Sequence, residues 1–170
     1  MKKKWTACFA LAVVLAVAVG ANAQGMFQYV TGKPFDDAVP KDFYLEGNSI
    51  PTEKRNAALI KTPGGARVVF ALIDTTGYSS QIQQKYIGML ISEGNVTVCG
   101  NKVGVGSYGF GLNKTASSAT FVLYNQAGTK VGDCSVKSDA ALEHPSPLQV
   151  KLSSQKVMLY LGRYRVDLEP

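Results

Sequence analysis

The stretch VGVGSYGFGL (residues 103–112) decides the fold, because its glycines fit either a phosphate-binding loop or a strand. Gly104, Gly106 and Gly109 match the pattern G-x-G-x-x-G. That pattern binds a dinucleotide when a helix begins at its third glycine and an acidic residue follows about 20 residues later. Here no helical periodicity follows Gly109, and the later residues ATFVLYN (119–125) are themselves strand-like. The stretch therefore predicts a strand and no nucleotide site.

As a strand, this stretch has two unequal faces. Successive side chains of a strand point to opposite sides of the sheet, so Tyr108 and Phe110 belong to a large apolar face. Ser107, Gly109 and Gly111 belong to the other face, which is almost without side chains. Such a face lets another group lie close to the backbone. We expect a trough that is filled by an aromatic side chain of this chain, or that binds a ligand or a partner's strand.

The sequence on both sides predicts further short strands separated by turn residues. Residues 57–74 give a strand, a Pro-Gly-Gly turn and the apolar run ARVVFALID, which is typical of a central strand. Residues 80–92 carry both helical spacing and a strand-like run, and we favour a loop followed by a strand. This pattern predicts an all-β fold, a single antiparallel β-sandwich or flattened barrel of about seven to nine strands, with at most one or two short helical turns.

The N-terminal 23 residues have the organisation of a secretory signal peptide. Three lysines precede the apolar run FALAVVLAVAVG (9–20), and ANA (21–23) supplies the small residues that a signal peptidase recognises. A membrane span needs about 20 apolar residues, so an uncleaved anchor is the less favoured alternative. We expect a bacterial protein that is exported to the periplasm or the extracellular space, with no stable membrane span after cleavage.

Two regions follow the predicted signal peptide. Prolines and glycines interrupt residues 24–56 every few positions, which predicts a loop-rich N-terminal arm with one or two short strands near residues 27–30 and 42–47. Residues 57–170 form the predicted β-sandwich domain. Its two cysteines, Cys99 and Cys134, are an even number in an oxidising compartment, and we expect a disulfide between them. Two buried thiols or a redox pair are the alternatives, although the C-x-x-C spacing of redox pairs is absent.

The composition contains no clear catalytic or nucleic-acid signature. The chain has 18 basic and 12 acidic residues without a dense basic cluster, so we expect no nucleic-acid partner. His144 is the only histidine and lies in a proline-bounded loop, and no G-x-S-x-G motif is present. We therefore expect no metal, no cofactor and no catalysis. The carboxylates are scattered along the chain.

The C-terminal stretch VMLYLGRYRVDL (157–168) is predicted to be one closing strand. In that strand Arg163 and Arg165 follow three aliphatic residues on one face, unless a bulge at Gly162 shifts the register. The two arginines are either a solvated strand end or a basic rim that holds an anionic group.

These patterns together predict an exported, non-catalytic β-domain that binds a small ligand or a protein of the cell envelope. The candidate binding surface consists of Ser107, Gly109, Gly111, Arg163 and Arg165. One alternative is a structural or assembly subunit that pairs a strand with a partner. The other is a hydrolase whose carboxylates come from distant loops.

Overall fold

The computed structural model describes residues 25–115 and 118–170, so the predicted signal peptide lies outside the described part. The described residues contain thirteen strands and two six-residue helices. In chain order these are β1 (Gln28–Val30), α1 (Lys33–Ala38), β2 (Asp42–Leu45), β3 (Asn48–Lys61), β4 (Arg67–Ile73), α2 (Ser80–Lys85), β5 (Gly88–Ser92), β6 (Val96–Val98), β7 (Asn101–Val103), β8 (Gly106–Lys114), β9 (Ala119–Asn125), β10 (Lys130–Ser138), β11 (Gln149–Leu152), β12 (Val157–Leu161) and β13 (Tyr164–Glu169).

The strands form one nearly closed antiparallel sheet. Its order is β1-β3-β4-β5-β8-β9-β10-β13-β12-β11, with β2 paired to β3, and with the β6–β7 hairpin paired to β13. The two end strands lie close together: the hydroxyl of Tyr29 in β1 donates a hydrogen bond to the carbonyl of Val150 in β11. The predicted mostly β, antiparallel architecture is confirmed. The expected strand count was too low, because several strands have only three or four residues and are too short for a periodic pattern.

The interior of the curved sheet is filled by alternate residues of its strands. Phe70, Phe110 and Phe121 are each at most 1% exposed, and the ring centroids of Phe110 and Phe121 lie 5.4 Å apart. Aliphatic residues of β12 and β13 complete this interior core. The predicted assignment of Phe110 to a large apolar face is therefore correct, and that face is the inner one.

A second apolar core lies on the outer face of β3, β4 and β5. Elements α1, β2 and α2 cover it, and Leu45, Ile50 and Tyr86 are completely buried there. Residues 25–56, expected to form a loop-rich arm, thus contain two short strands, a helix and the first part of β3. The expected boundary after residue 56 falls inside β3 (Asn48–Lys61). The physical reason is burial: alternate apolar side chains of β2 and β3 pack onto the outer face.

The C-terminal stretch is a hairpin and not the single strand that its apolar pattern predicts. Strands β12 and β13 pair with Leu161 opposite Tyr164, so that Gly162 and Arg163 form a two-residue turn. Gly162 has φ +62°, a left-handed conformation that glycine adopts readily. Leu161 and Tyr164 both pack against the interior core, and the predicted common face of Arg163 and Arg165 does not exist.

The ambiguous segment 80–92 contains a helix and then a strand. The hydroxyl of Ser79 accepts a hydrogen bond from the Ile82 amide at 3.3 Å and caps α2, which ends before the extended residue Tyr86. Strand β5 begins two residues later, at Gly88. The helical spacing and the strand-like run therefore belong to two consecutive elements. The predicted strand is present, but a short helix precedes it where a loop was expected.

Candidate functional site

The glycine face of β8 is covered by the chain itself. A Cβ atom added to Gly109 would lie 2.7 Å from Cε1 of Tyr86, and one added to Gly111 would overlap the carbonyl oxygen of Lys85. The trough thus holds an aromatic side chain and the end of α2, which is one of the two alternatives that the sequence left open. Both glycines lie within a strand, so no helix begins at Gly109 and the phosphate-loop alternative is excluded.

A half-buried polar cluster holds this cover in place. The Tyr86 hydroxyl donates a hydrogen bond to Oε1 of Glu46 at 2.6 Å, and the ammonium of Lys85 forms an ion pair with the same carboxylate. Lys85 Nζ also donates to the carbonyl of Gly128 at 2.7 Å and lies 4.8 Å from the ring centroid of Tyr124. The cluster joins the β2–β3 turn, α2 and the β9–β10 turn.

The same contacts explain the shifted titration of two groups in the cluster. Hydrogen bonds from Lys85 and Tyr86 lower the pKa of Glu46. Burial, followed by the hydrogen bond to Glu46, raises the pKa of Tyr86. Glu46 is therefore ionised and Tyr86 is neutral at physiological pH. These charge states suit a structural role in which Glu46 holds Lys85 and Tyr86 against the sheet.

A cleft opens where β10 and β13 separate. The two strands pair at only two positions, Lys137 with Arg165 and Ser138 with Tyr164. Farther along β13 its partner is β6, with Leu168 opposite Val98. The resulting cavity of about 640 Å³ is called the fork cleft here. Its lining includes Cys99, Ser135, Lys137, Asp139, Arg165 and Asp167.

Contacts on both sides of the fork hold the β6–β7 hairpin. The sulfur atoms of Cys99 and Cys134 are at disulfide distance, with their Cα atoms 6.2 Å apart. The side-chain amide of Asn101 donates to the carbonyl of Asp133 at 3.2 Å, and the Cys99 amide donates to the carbonyl of Asp167 at 2.7 Å. The hairpin is thus attached to β10 through side chains and to β13 through the backbone.

A charged cluster forms the wall of the fork cleft. Nε and Nη2 of Arg165 each donate to the Asp167 carboxylate at 2.7 Å, and Lys156 Nζ donates to the same group at 2.8 Å. These donors, with Arg165 foremost, lower the pKa of Asp167 to about 2. Arg165 is therefore a fixed cation, and Asp167 stays a carboxylate throughout the physiological range.

The Asp167 cluster predicts a specific loss of stability in acid. The folded pKa of about 2 lies below the ordinary value of 3.8, so the stabilisation is complete above about pH 4 and disappears as the pH falls through about 2. We expect Asp167→Asn to cost about 1–2 kcal/mol at pH 7, and less at pH 2. Urea unfolding of both proteins between pH 2 and pH 7 measures this difference. The exposed pair Lys130–Asp133 provides the control Asp133→Asn, for which a difference below about 0.5 kcal/mol is expected. An Asp167→Asn cost that is the same at both pH values contradicts the assignment.

The five residues of the predicted binding surface do not lie together. Arg165 lines the fork cleft, whereas Arg163 lies in the β12–β13 turn and donates to the carbonyl of Leu142 at 2.7 Å. Gly109 and Gly111 lie beneath α2, and Ser107 lies opposite Ile91 of β5. Lys137, on β10, and Asp139, which directly follows β10, were not among the predicted site residues. Asp167 was not predicted either, although the spacing Arg-x-Asp, which places both side chains on one face of a strand, was an available signal.

Comparison with known proteins found no matching family model, no similar curated protein and no similar solved structure. Within residues 25–115 and 118–170, no helix is long and apolar enough to cross a membrane.

Proposed function

We propose that the protein is an exported, non-catalytic binding protein, and that its fork cleft binds a small polar ligand with an anionic group. The supporting observation is the orientation of Arg165. Asp167 accepts from Nε and Nη2, while Nη1 donates to no residue that the structure describes. An oriented guanidinium offers N–H groups in a planar arrangement that matches a carboxylate or a phosphate.

The charge balance around the cleft also favours an anion. Three basic groups, Lys137, Lys156 and Arg165, lie in or beside the cleft with two carboxylates, Asp139 and Asp167. Lys137 is exposed and has no ion-pair partner in the described part of the chain. One positive charge therefore remains for a ligand, and the hydroxyls of Ser135 and Ser138 add neutral polar groups.

Two features support export of the protein: the N-terminal sequence, which has the organisation of a signal peptide, and the cysteine pair. A cysteine pair at disulfide distance is compatible with an oxidising compartment, where such pairs persist as disulfides. The pair lies beside the proposed site, since Cys99 lines the fork cleft. Oxidation would thus fix the shape of the cleft in the compartment to which the signal peptide directs the chain.

The hydrolase alternative depends on the two carboxylates of the cleft. Asp139 and Asp167 both line it, which is the only specific feature that favours the hydrolase alternative among the described residues. A two-carboxylate hydrolase needs one group that stays protonated near neutral pH. Asp167 stays ionised, because Arg165 and Lys156 hold its pKa at about 2, so Asp139 would have to supply the proton.

The strand-pairing alternative receives less support. The two ends of the sheet are β1, with three residues, and β11, with four residues. Short edge strands are a common protection against pairing with other chains. These two strands also face each other through the hydrogen bond from Tyr29 to Val150.

The proposal is tested by calorimetry and thermal shift on residues 24–170 with citrate, glucose 6-phosphate and glucose as probes. We expect at least one anion to bind and to raise the melting temperature, and glucose to have no effect. Lys137→Gln should weaken anion binding about tenfold, because one charge-assisted hydrogen bond contributes about 1.5 kcal/mol.

Arg163→Gln is the matched control, since it removes the same charge from a turn outside the cleft. We expect it to bind like the wild type. Equal losses in Lys137→Gln and Arg163→Gln would indicate a nonspecific charge effect and would reject the site. Hydrolysis of a chromogenic ester or glycoside that is abolished by Asp139→Asn would establish the hydrolase alternative instead.

A further inference from the structure

A second cavity lies at one end of the sheet interior, away from the fork cleft. Its volume is about 350 Å³, and it is called the mouth pocket here. Its lining includes Glu53, Leu72, Ile87, Leu112, Lys114 and Leu161. The volume is near the lower end of the range of about 300–1,000 Å³ that is typical of small-molecule sites.

The floor of the mouth pocket is aliphatic. Leu72, Ile87 and Leu112 pack against the interior core but stay only partly buried, so they present apolar surface to a concave space. Leu161, which is 3% exposed, continues this floor from the other side of the sheet. Burial of this surface by an apolar group of a ligand would stabilise the complex in proportion to the area removed from water.

Two opposite charges stand at the rim. Glu53 is the sheet partner of Leu72, and directly paired residues point to the same face, so Glu53 lies on the inner side of β3. Lys114 follows Leu112 by two residues and shares its inner face on β8. Its ammonium lies 5.1 Å from the ring centroid of Tyr164, which positions the cation at the mouth.

Both rim charges are available to a ligand. Oε2 of Glu53 accepts a hydrogen bond from Asn56 at 2.7 Å, while Oε1 has no donor among the described residues. Lys114 has no ion-pair partner within residues 25–115 and 118–170. Strands β4 and β5 lie between β3 and β8, and Lys114 lies four residues beyond Phe110, which is in register with Glu53, so the two backbones are about 19 Å apart along the sheet.

We propose that the mouth pocket binds a short aliphatic peptide with free termini, its ammonium at Glu53 and its carboxylate at Lys114. An extended tripeptide spans about 10 Å, and the two inward side chains bridge the remaining distance. The aliphatic side chain of the peptide packs on Leu72, Leu112 and Leu161. Opposite rim charges above an apolar floor favour such a zwitterion over a fatty acid, which Glu53 would repel.

The experiment is calorimetric titration of residues 24–170 with the tripeptide Ala-Leu-Ala. The same peptide with an acetylated N-terminus, with an amidated C-terminus and with glycine in place of leucine provides the comparisons. We expect each blocked peptide to bind about fivefold more weakly, because each loses one solvent-exposed charge pair at the rim. The glycine peptide should also bind about tenfold more weakly, because it loses the apolar burial.

Two variants of the rim test which terminus of the peptide lies at Glu53 and which lies at Lys114. Glu53→Gln should weaken the free peptide about fivefold and leave the acetylated peptide unaffected. Lys114→Gln should weaken the free peptide by a similar factor and leave the amidated peptide unaffected. Lys61→Gln, which removes an exposed lysine at the other end of β3, outside both cavities, is the matched control and should not change peptide binding. Blocked peptides that bind as tightly as the free one, or an absence of binding at millimolar concentration, would overturn the proposal, whatever the result at the fork cleft.

Discussion

Replacement of Gly111 by alanine should destabilise the protein by about 3 kcal/mol or more. A Cβ atom at this position would overlap the carbonyl oxygen of Lys85, the last residue of α2. That oxygen belongs to the backbone and cannot be relieved by a side-chain rotation. Its displacement would move α2 and with it Tyr86, which is completely buried above Gly109. Equilibrium unfolding in urea, followed by circular dichroism, measures the change.

The same stretch of sequence supplies the control. An added Cβ atom at Gly104 would meet only ordinary contacts, the nearest being Oδ1 of Asn95 at 3.8 Å, and Gly104 does not have a positive φ. We expect Gly104→Ala to change the free energy of unfolding by less than about 0.5 kcal/mol. Equal stabilities of the two variants would mean that α2 does not lie against the glycine face. The trough would then be open, and a ligand or a partner's strand could bind there.

Loss of the cysteine pair should have an effect of similar size. The sequence separation of Cys99 and Cys134 is 35, and closure of such a loop stabilises a fold by about 4 kcal/mol in the chain-entropy model. This is a large part of the roughly 5–15 kcal/mol that stabilises a typical domain. We expect the Cys99→Ser, Cys134→Ser double variant to unfold at a correspondingly lower urea concentration. The wild type should do the same in the presence of a reductant.

A mass measurement tests whether the loss of stability comes from a disulfide bond between Cys99 and Cys134. The oxidised protein should gain no mass when it is alkylated in denaturant without reductant, and it should gain two alkyl groups after reduction. Two groups added before reduction would contradict the disulfide. A double-serine variant with wild-type stability would show that the hydrogen bonds from Asn101 and Cys99 suffice to hold the β6–β7 hairpin.

The sequence alone determined the β class, the two faces of β8 and the cysteine pair, because each depends on local features. Alternation along a strand reports which side chains share a face, and Phe110 and Gly109 lie on opposite faces as that rule requires. An even number of cysteines needs no three-dimensional information to suggest a pair.

Only the tertiary structure decided what lies against each face and where a cleft opens. Tyr86 fills the glycine trough, although it lies 23 residues before Gly109 in the chain and no local pattern connects the two. Gly162 turns the chain back on itself, which places Arg165 beside Lys137 of β10 and sends Arg163 elsewhere. The physical reason is that strand pairing maximises burial and hydrogen bonding over the whole chain, whereas residue periodicity carries information only within a single strand.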